Sequence, residues 1–305
     1  MTIRTVLGDV VLDHTGIVLP HEHLVIDYRQ KDGAAPPPSS AEETHCVELL
    51  RGLRVAGGVQ AIVDCTPPGY GRDIDFLRRV SERSGVHIVA STGSFCEQLS
   101  EQPSWASRAS VDALEEAFSA ELSRSCGVIK VATSSGTATQ NERKAMEAAS
   151  RVHLATGAPI VSHTSGSLGI DHVDIYESLG VDLSKVLISH VCAEDEPVSY
   201  AIEIASRGAR VGFDRIGHAS HSDAYWISLI QELLDRDLGD RILLSHDSVQ
   251  RFTGPDAIAD HKFSAMSHIP TTFRTGVASA IAPAVFSQLT IQNPLLWLAP
   301  NRDSQ

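Results

Sequence analysis

Eight times along these 305 residues, a short β-branched apolar run is followed by a stretch with helical spacing. The runs are GIVLP (16–20), VQAIVDC (59–65), VHIVAST (86–92), GVIKVA (127–132), APIVSH (158–163), KVLISH (185–190), ARVGFD (209–214) and RILLSHD (241–247). Each is almost continuously apolar, as suits a parallel strand covered on both faces. Between them, stretches such as SVDALEEAFSAELSRS, NERKAMEAASRVHLATG and AYWISLIQELLDRDLG read as helices. SAEETHCVELLRGLRVAGG opens on a serine suited to capping and closes on glycines. Eight β–α units predict a closed (β/α)8 barrel, the TIM barrel architecture, as one domain over residues 1–305. An open doubly wound sheet is expected to carry a glycine-rich phosphate loop after its first strand. PHEHL stands there instead. DGAAPPPSS (32–40) reads as a surface loop.

In such a barrel, chemistry gathers at the C-terminal ends of the strands. The first run ends in His21 and His23, which alternation points to one face, with Glu22 on the other. The fourth carries Lys130, the fifth ends in His163, the sixth in His190 and the eighth in Asp247. Any one of the 14 histidines has an ordinary structural reading; four at strand ends beside a carboxylate point to a metal site. His246 and Glu22 turn away from that mouth and read as structural. Lys130 lies within the apolar VIKVA and is costly there unless paired or neutralised. One outcome is a salt bridge to Asp247 or a glutamate. The other is a carbamate, because a buried lysine has a lowered pKa and its neutral amine can add carbon dioxide. The resulting carboxylate can bridge two cations.

Charge and cysteine usage narrow the setting. A formal net charge of −13 argues against sequence-independent nucleic-acid binding and against docking on an anionic membrane. Five cysteines (Cys46, Cys65, Cys96, Cys126, Cys192) are scattered without a C-x-x-C pair and read as free thiols in a reducing compartment. No apolar stretch has the length of a signal-peptide core or a membrane span. A cytoplasmic protein acting on a small molecule is the expectation.

The strand-end motifs taken together resemble the phosphotriesterase family of the amidohydrolase superfamily. The resemblance runs from TVLGDVVLDHTGIVLPHEHL to LTIQNPLLWL, through IKVAT, SHT, ISHV, FDRIG and SHD. It implies a (β/α)8 barrel with two divalent metals, usually zinc, sometimes cobalt, manganese or iron. His21, His23 and Asp247 would hold the more buried metal, and His163 and His190 the other. Carbamylated Lys130 would bridge both. The implied chemistry is hydrolysis by a water shared between the metals, with Asp247 taking or orienting its proton. Lys130, His190, Asp247 and Arg215 are the expected catalytic group. A homodimer is plausible by resemblance, although no interface signature stands out.

Within the family, Asp214 and Arg215 of FDR match the phosphotriesterase-like lactonases. Where those carry a tyrosine after the third strand, this chain has Phe95, and Ile216 replaces the tyrosine that often follows DR. The loop SVQRFTGPDAIADHKFSAM also reads as short. The expected reaction is hydrolysis of a lactone or carboxylic ester, with promiscuous phosphotriesterase activity. N-acyl amino acid hydrolysis at the same centre is the alternative, and a non-catalytic metal-containing binding protein the more distant one. Phe95, Arg215, His218 and Arg251 are the expected pocket residues, although the first reading of His218 and His221 is as part of a solvated loop, with contact to a polar or anionic substrate the alternative. Trp105, Trp226 and Trp297 read as packing residues.

Overall fold

Each of the eight apolar runs forms a strand. The computed structural model describes residues 2–29, 37–99, 105–254 and 265–299. A hairpin of β1 (Thr2–Thr5) and β2 (Gly8–Val11) comes first. The barrel strands follow as β3 (Ile17–Asp27), β4 (Val59–Asp64), β5 (His87–Gly93) and β6 (Cys126–Ala132). Then come β7 (Ile160–His163), β8 (Val186–Ile188), β9 (Arg210–Phe213) and β10 (Ile242–Leu244). Each pairs in parallel with the next, from β3 round to β10. The ring closes through two backbone hydrogen bonds: Asp247 N–H donates to the His21 carbonyl at 3.1 Å, and His23 N–H to the Ser248 carbonyl at 2.8 Å. This is the (β/α)8 barrel, with the apolar strand residues packed inside and beneath the helices.

The first strand extends past its expected end at His21 and His23. It continues through both histidines to Asp27, and all 11 of its residues are buried. The extension has a partner that local sequence does not reveal. Beyond Asp247 the chain resumes as β11 (Val249–Thr253), parallel to β3, with Val249 opposite His23 and Thr253 opposite Asp27. The eighth strand is therefore a kinked strand in two pieces, and its second piece satisfies the outer half of β3.

Helix ends follow capping chemistry. Ser39 and Glu42 form a reciprocal capping box at the start of Ser40–Gly52, and Thr139 and Glu142 do the same for Gln140–Thr156. Gly85 and Gly157 end their helices in left-handed backbone. Gly93 has a different task. A Cβ there would lie 1.8 Å from the Lys130 carbonyl oxygen, so only glycine lets β5 approach β6 beside the lysine. Trp226 and Trp297 are fully buried, and Trp297 Nε1 donates to the Lys185 carbonyl at 3.0 Å. All five cysteines are buried free thiols. Among the described residues no helix is long and apolar enough to cross a membrane. Residues 32–36 of the segment read as a surface loop, and 255–264 of the loop after the eighth strand, lie outside the described residues.

One buried histidine makes a prediction about stability. His172 sits between the Thr133 and Ser162 hydroxyls at 2.8 Å each, and burial pushes its pKa down to about 3, with the Arg143 charge adding to the shift. The unfolded chain therefore binds a proton that the folded chain refuses between about pH 6.5 and pH 3. The stabilisation is complete above pH 6.5 and is lost as pH falls through that window, by about 1.4 kcal/mol per pH unit for this one group. Urea unfolding of metal-free protein at pH 7.5, 6 and 5 should show that decline, and His172→Gln should make it shallower by about one proton. An identical slope in the variant would rule His172 out as its source.

Candidate metal centre

Six side chains converge at the C-terminal mouth of the barrel, and for His21, His23 and His190 the polypeptide fixes which atom is presented. In β3, His21 and His23 share a face, as alternation requires. His21 Nδ1–H donates to Asp214 Oδ2 at 2.7 Å, which leaves the Nε2 lone pair facing inward. The Thr66 hydroxyl donates to the Val25 carbonyl at 3.1 Å, so it accepts from His23 Nδ1–H at 2.7 Å and turns His23 Nε2 inward as well. His190 Nδ1–H donates to Asp214 Oδ1 at 2.9 Å, with the same consequence. Asp214 thus orients two imidazoles from opposite sides. Sequence reasoning placed it in a motif but missed this role; its position at the end of the seventh strand, like the other mouth residues, was the available signal.

The inward atoms are close together. His21 Nε2 lies 3.0 Å from Lys130 Nζ and 3.5 Å from Asp247 Oδ1. His23 Nε2 lies 3.3 Å from Asp247 Oδ1, and His190 Nε2 3.9 Å from Asp247 Oδ2. His163 Nδ1 faces His190 Nε2 at 2.7 Å. Two imidazole nitrogens at that distance need a proton or a cation between them. Donor atoms of His21, His190 and Asp247 all lie within 4.8 Å of one another, a set that fits one divalent ion. Lys130 is completely buried.

Electrostatics keep these donors in the states that metal binding needs. Burial, reinforced by the Lys130 charge, pushes His21 down to about 3. Burial and the neighbouring His190 hold His163 well below its usual range. Burial opposes ionisation of Asp214, but the facing His190 and His21 outweigh it and hold the carboxyl well below the usual range. Asp247 is held low in the same way by His21, His23 and His190. At neutral pH, His21 and His163 therefore offer lone pairs, and both aspartates offer charge.

Two of the mouth residues have left-handed backbone: His190 at φ 62° and Asp247 at φ 53°. Each costs on the order of 1–3 kcal/mol unless its surroundings compensate. The compensation is visible. Asp214 Oδ1 also accepts the His190 backbone N–H at 2.8 Å. Glu22, fully buried on the far face of β3, accepts from Ser245 Oγ at 2.8 Å, His246 Nδ1 at 2.6 Å and Ser248 N–H at 2.9 Å. It clamps the chain on both sides of Asp247. Glu22 and His246 are structural, as alternation indicated.

Above these donors lies a cleft of about 160 Å³. His23, His163 and Asp247 form its floor, and Arg215, His218 and Phe95 line its sides. Phe95 stacks on Tyr28 with ring centroids 5.3 Å apart and meets His163 at 5.2 Å. Tyr28, Val249 and Phe252 also line the cleft and were not foreseen, because they lie beyond the expected ends of the first and eighth strands. His218 donates to the His246 carbonyl at 2.6 Å, so it is a held residue and not part of a solvated loop. His221 donates to the Ala193 carbonyl at 3.2 Å and stacks on Tyr225, away from the lining. Arg251 lies in β11. Its guanidinium reaches Glu42 at 3.3 Å, and it is not among the described residues lining the cleft.

Known proteins place this geometry. The model of the phosphotriesterase family matches residues 1–298. The Escherichia coli (strain K12) phosphotriesterase homology protein is 30% identical over 249 residues, covering 78% of this chain and 84% of its own. N-acetyltaurine hydrolase of Mus musculus is 26% identical and covers 97% of each chain. A mutant PTE-like lactonase from Deinococcus radiodurans is 30% identical, with a TM-score of 0.87 over 98% of this chain and all of that one. Fold and family match agree: the chain belongs to the phosphotriesterase family of metal-dependent hydrolases.

Proposed function

We propose that the centre holds two divalent metals and hydrolyses a lactone or carboxylic ester. In this reading His21, His23 and Asp247 hold the more buried ion, His163 and His190 hold the other, and Lys130, carbamylated, bridges them. The observation that carries it is the convergence of these six side chains, with the outer nitrogens of His21, His23 and His190 already committed to Asp214 or Thr66. Zinc is the first ion to test, with cobalt, manganese and iron as alternatives.

Bound metals supply a water of lowered pKa and a Lewis acid for the substrate oxygen. The chain's own residues do the rest. Asp247, held ionised beside His23, accepts the proton of the attacking water. Asp214 keeps His21 and His190 from rotating as charge moves through the site. The leaving alkoxide, or amine for an amide, takes up a proton as it departs. Tyr28, Phe95 and Phe252 line the cleft with aromatic surface suited to the acyl part.

A second reading, N-acyl amide hydrolysis, is favoured by relatives named N-acetyltaurine hydrolase, matched along 97% of both chains. Both readings predict faster turnover of carbonyl substrates than of phosphotriesters. Side-by-side kcat/KM values on lactones, aryl esters, N-acyl amino acids and a paraoxon-like triester should favour the best carbonyl compound by about tenfold or more. A clear phosphotriester preference would overturn this assignment.

A further inference from the structure

The cleft contains one charge that the proposed chemistry does not use. Arg215 follows β9 and lines the cleft with its side chain 28% exposed. Its Nε is buried and has no hydrogen-bond partner among the described residues. Among the described residues its one ion pair is a long one, to Asp247 Oδ2 at 3.8 Å, beyond hydrogen-bond range. Asp247 is also the one carboxylate among the described residues lining the cleft, and it faces His21, His23 and His190. A carboxylate committed to those neighbours and to a cation cannot also neutralise a guanidinium. His218 beside it already donates to the His246 carbonyl. The Arg215 charge is felt by Tyr28, His163 and His218, so it acts across the cleft and is not confined to solvent. A partly buried guanidinium whose one carboxylate neighbour among the described residues is shared with three histidines keeps its hydrogen-bonding capacity open, and its planar fork matches a carboxylate.

We propose that Arg215 binds a carboxylate carried by the substrate next to the scissile carbonyl bond, which makes acylated amino or hydroxy acids the preferred substrate class. The proposal rests on the hydrolase reading above. The aromatic wall takes the acyl portion, the floor holds the scissile carbonyl, and Arg215 pairs with the acid group of the leaving half. The competing account is that Arg215 merely positions Asp247.

The test compares metal-loaded wild type, Arg215→Met and Arg215→Lys on two matched compounds: an N-acyl amino acid and its neutral carboxamide. Wild type should prefer the acid by about ten- to a hundredfold in kcat/KM, the range expected for a hydrogen bond between charged groups. That ratio should collapse in Arg215→Met, chiefly through KM, and be partly kept in Arg215→Lys. A positioning role would lower both substrates together and leave the ratio intact, overturning the proposal. Equal rates on acid and carboxamide in wild type would overturn it as well, while leaving the hydrolase reading standing. No turnover of any ester, lactone or amide by metal-loaded protein would remove both. Calorimetry with an N-alkyl amino acid, which has no scissile carbonyl, reads the contact without turnover. Its Kd should rise at least about tenfold in Arg215→Met, and an unchanged Kd would contradict the pairing.

Discussion

Lys130→Ala is expected to lose bound metal and to lower kcat on the order of a thousandfold or more, since both ions would lose a shared ligand. The residue is fully buried with its Nζ 3.0 Å from His21 Nε2. An ammonium at that position would repel two dications; a carbamate supplies the negative charge that holds them together. Two further results separate the carbamate from an ordinary buried lysine. Acetate or propionate added with metal should restore part of the lost activity by filling the gap. Lys130→Arg should restore none, because a guanidinium stays charged and is not carboxylated. Full activity or full metal content in Lys130→Ala, measured by elemental analysis after gel filtration, would end the bridging account.

The second large effect belongs to Asp214. One carboxylate accepts from His21 Nδ1, from His190 Nδ1 and from the His190 backbone N–H. Asn in its place keeps the shape but has only one acceptor oxygen, and its amide hydrogens would face an imidazole N–H. One ring must then turn or change tautomer and withdraw its lone pair from the centre. Asp214→Asn is expected to weaken metal binding by roughly 10- to 100-fold, the usual cost of removing an outer partner of a metal ligand. Chelator competition measures that affinity directly. A high concentration of metal should recover part of the activity. Wild-type metal affinity in the variant would show that the rings are held by packing alone.

How much of this was legible in the sequence depends on which forces act locally. The eight strands were, because a strand buried on both faces must be apolar along its whole length, and runs such as VQAIVDC and GVIKVA satisfy that without outside help. His21, His23, Lys130, His163, His190 and Asp247 could be gathered because strand-end position is a property of the barrel. The left-handed backbone at His190 and Asp247 was not legible. Neither residue is glycine, and the conformation is held by Asp214 and Glu22, which lie 24 and more than 200 positions away. The extension of β3 to Asp27 was hidden for the same reason, since its partner is β11 at the far end of the chain. That one error also concealed Tyr28, Val249 and Phe252 as part of the cleft wall. Proximity in sequence to Asp247 does not set the direction of the Arg251 side chain, whose guanidinium meets Glu42 at 3.3 Å.

The most direct test of the central claim is a crystal structure of protein loaded with zinc in bicarbonate buffer, with anomalous difference density calculated at the zinc edge. The account predicts two anomalous peaks in the space bounded by His21, His23, His163, His190 and Asp247. It also predicts planar density of three extra atoms on Lys130 Nζ reaching both peaks. A single peak, or two peaks beside a bare Lys130 amine, would contradict it.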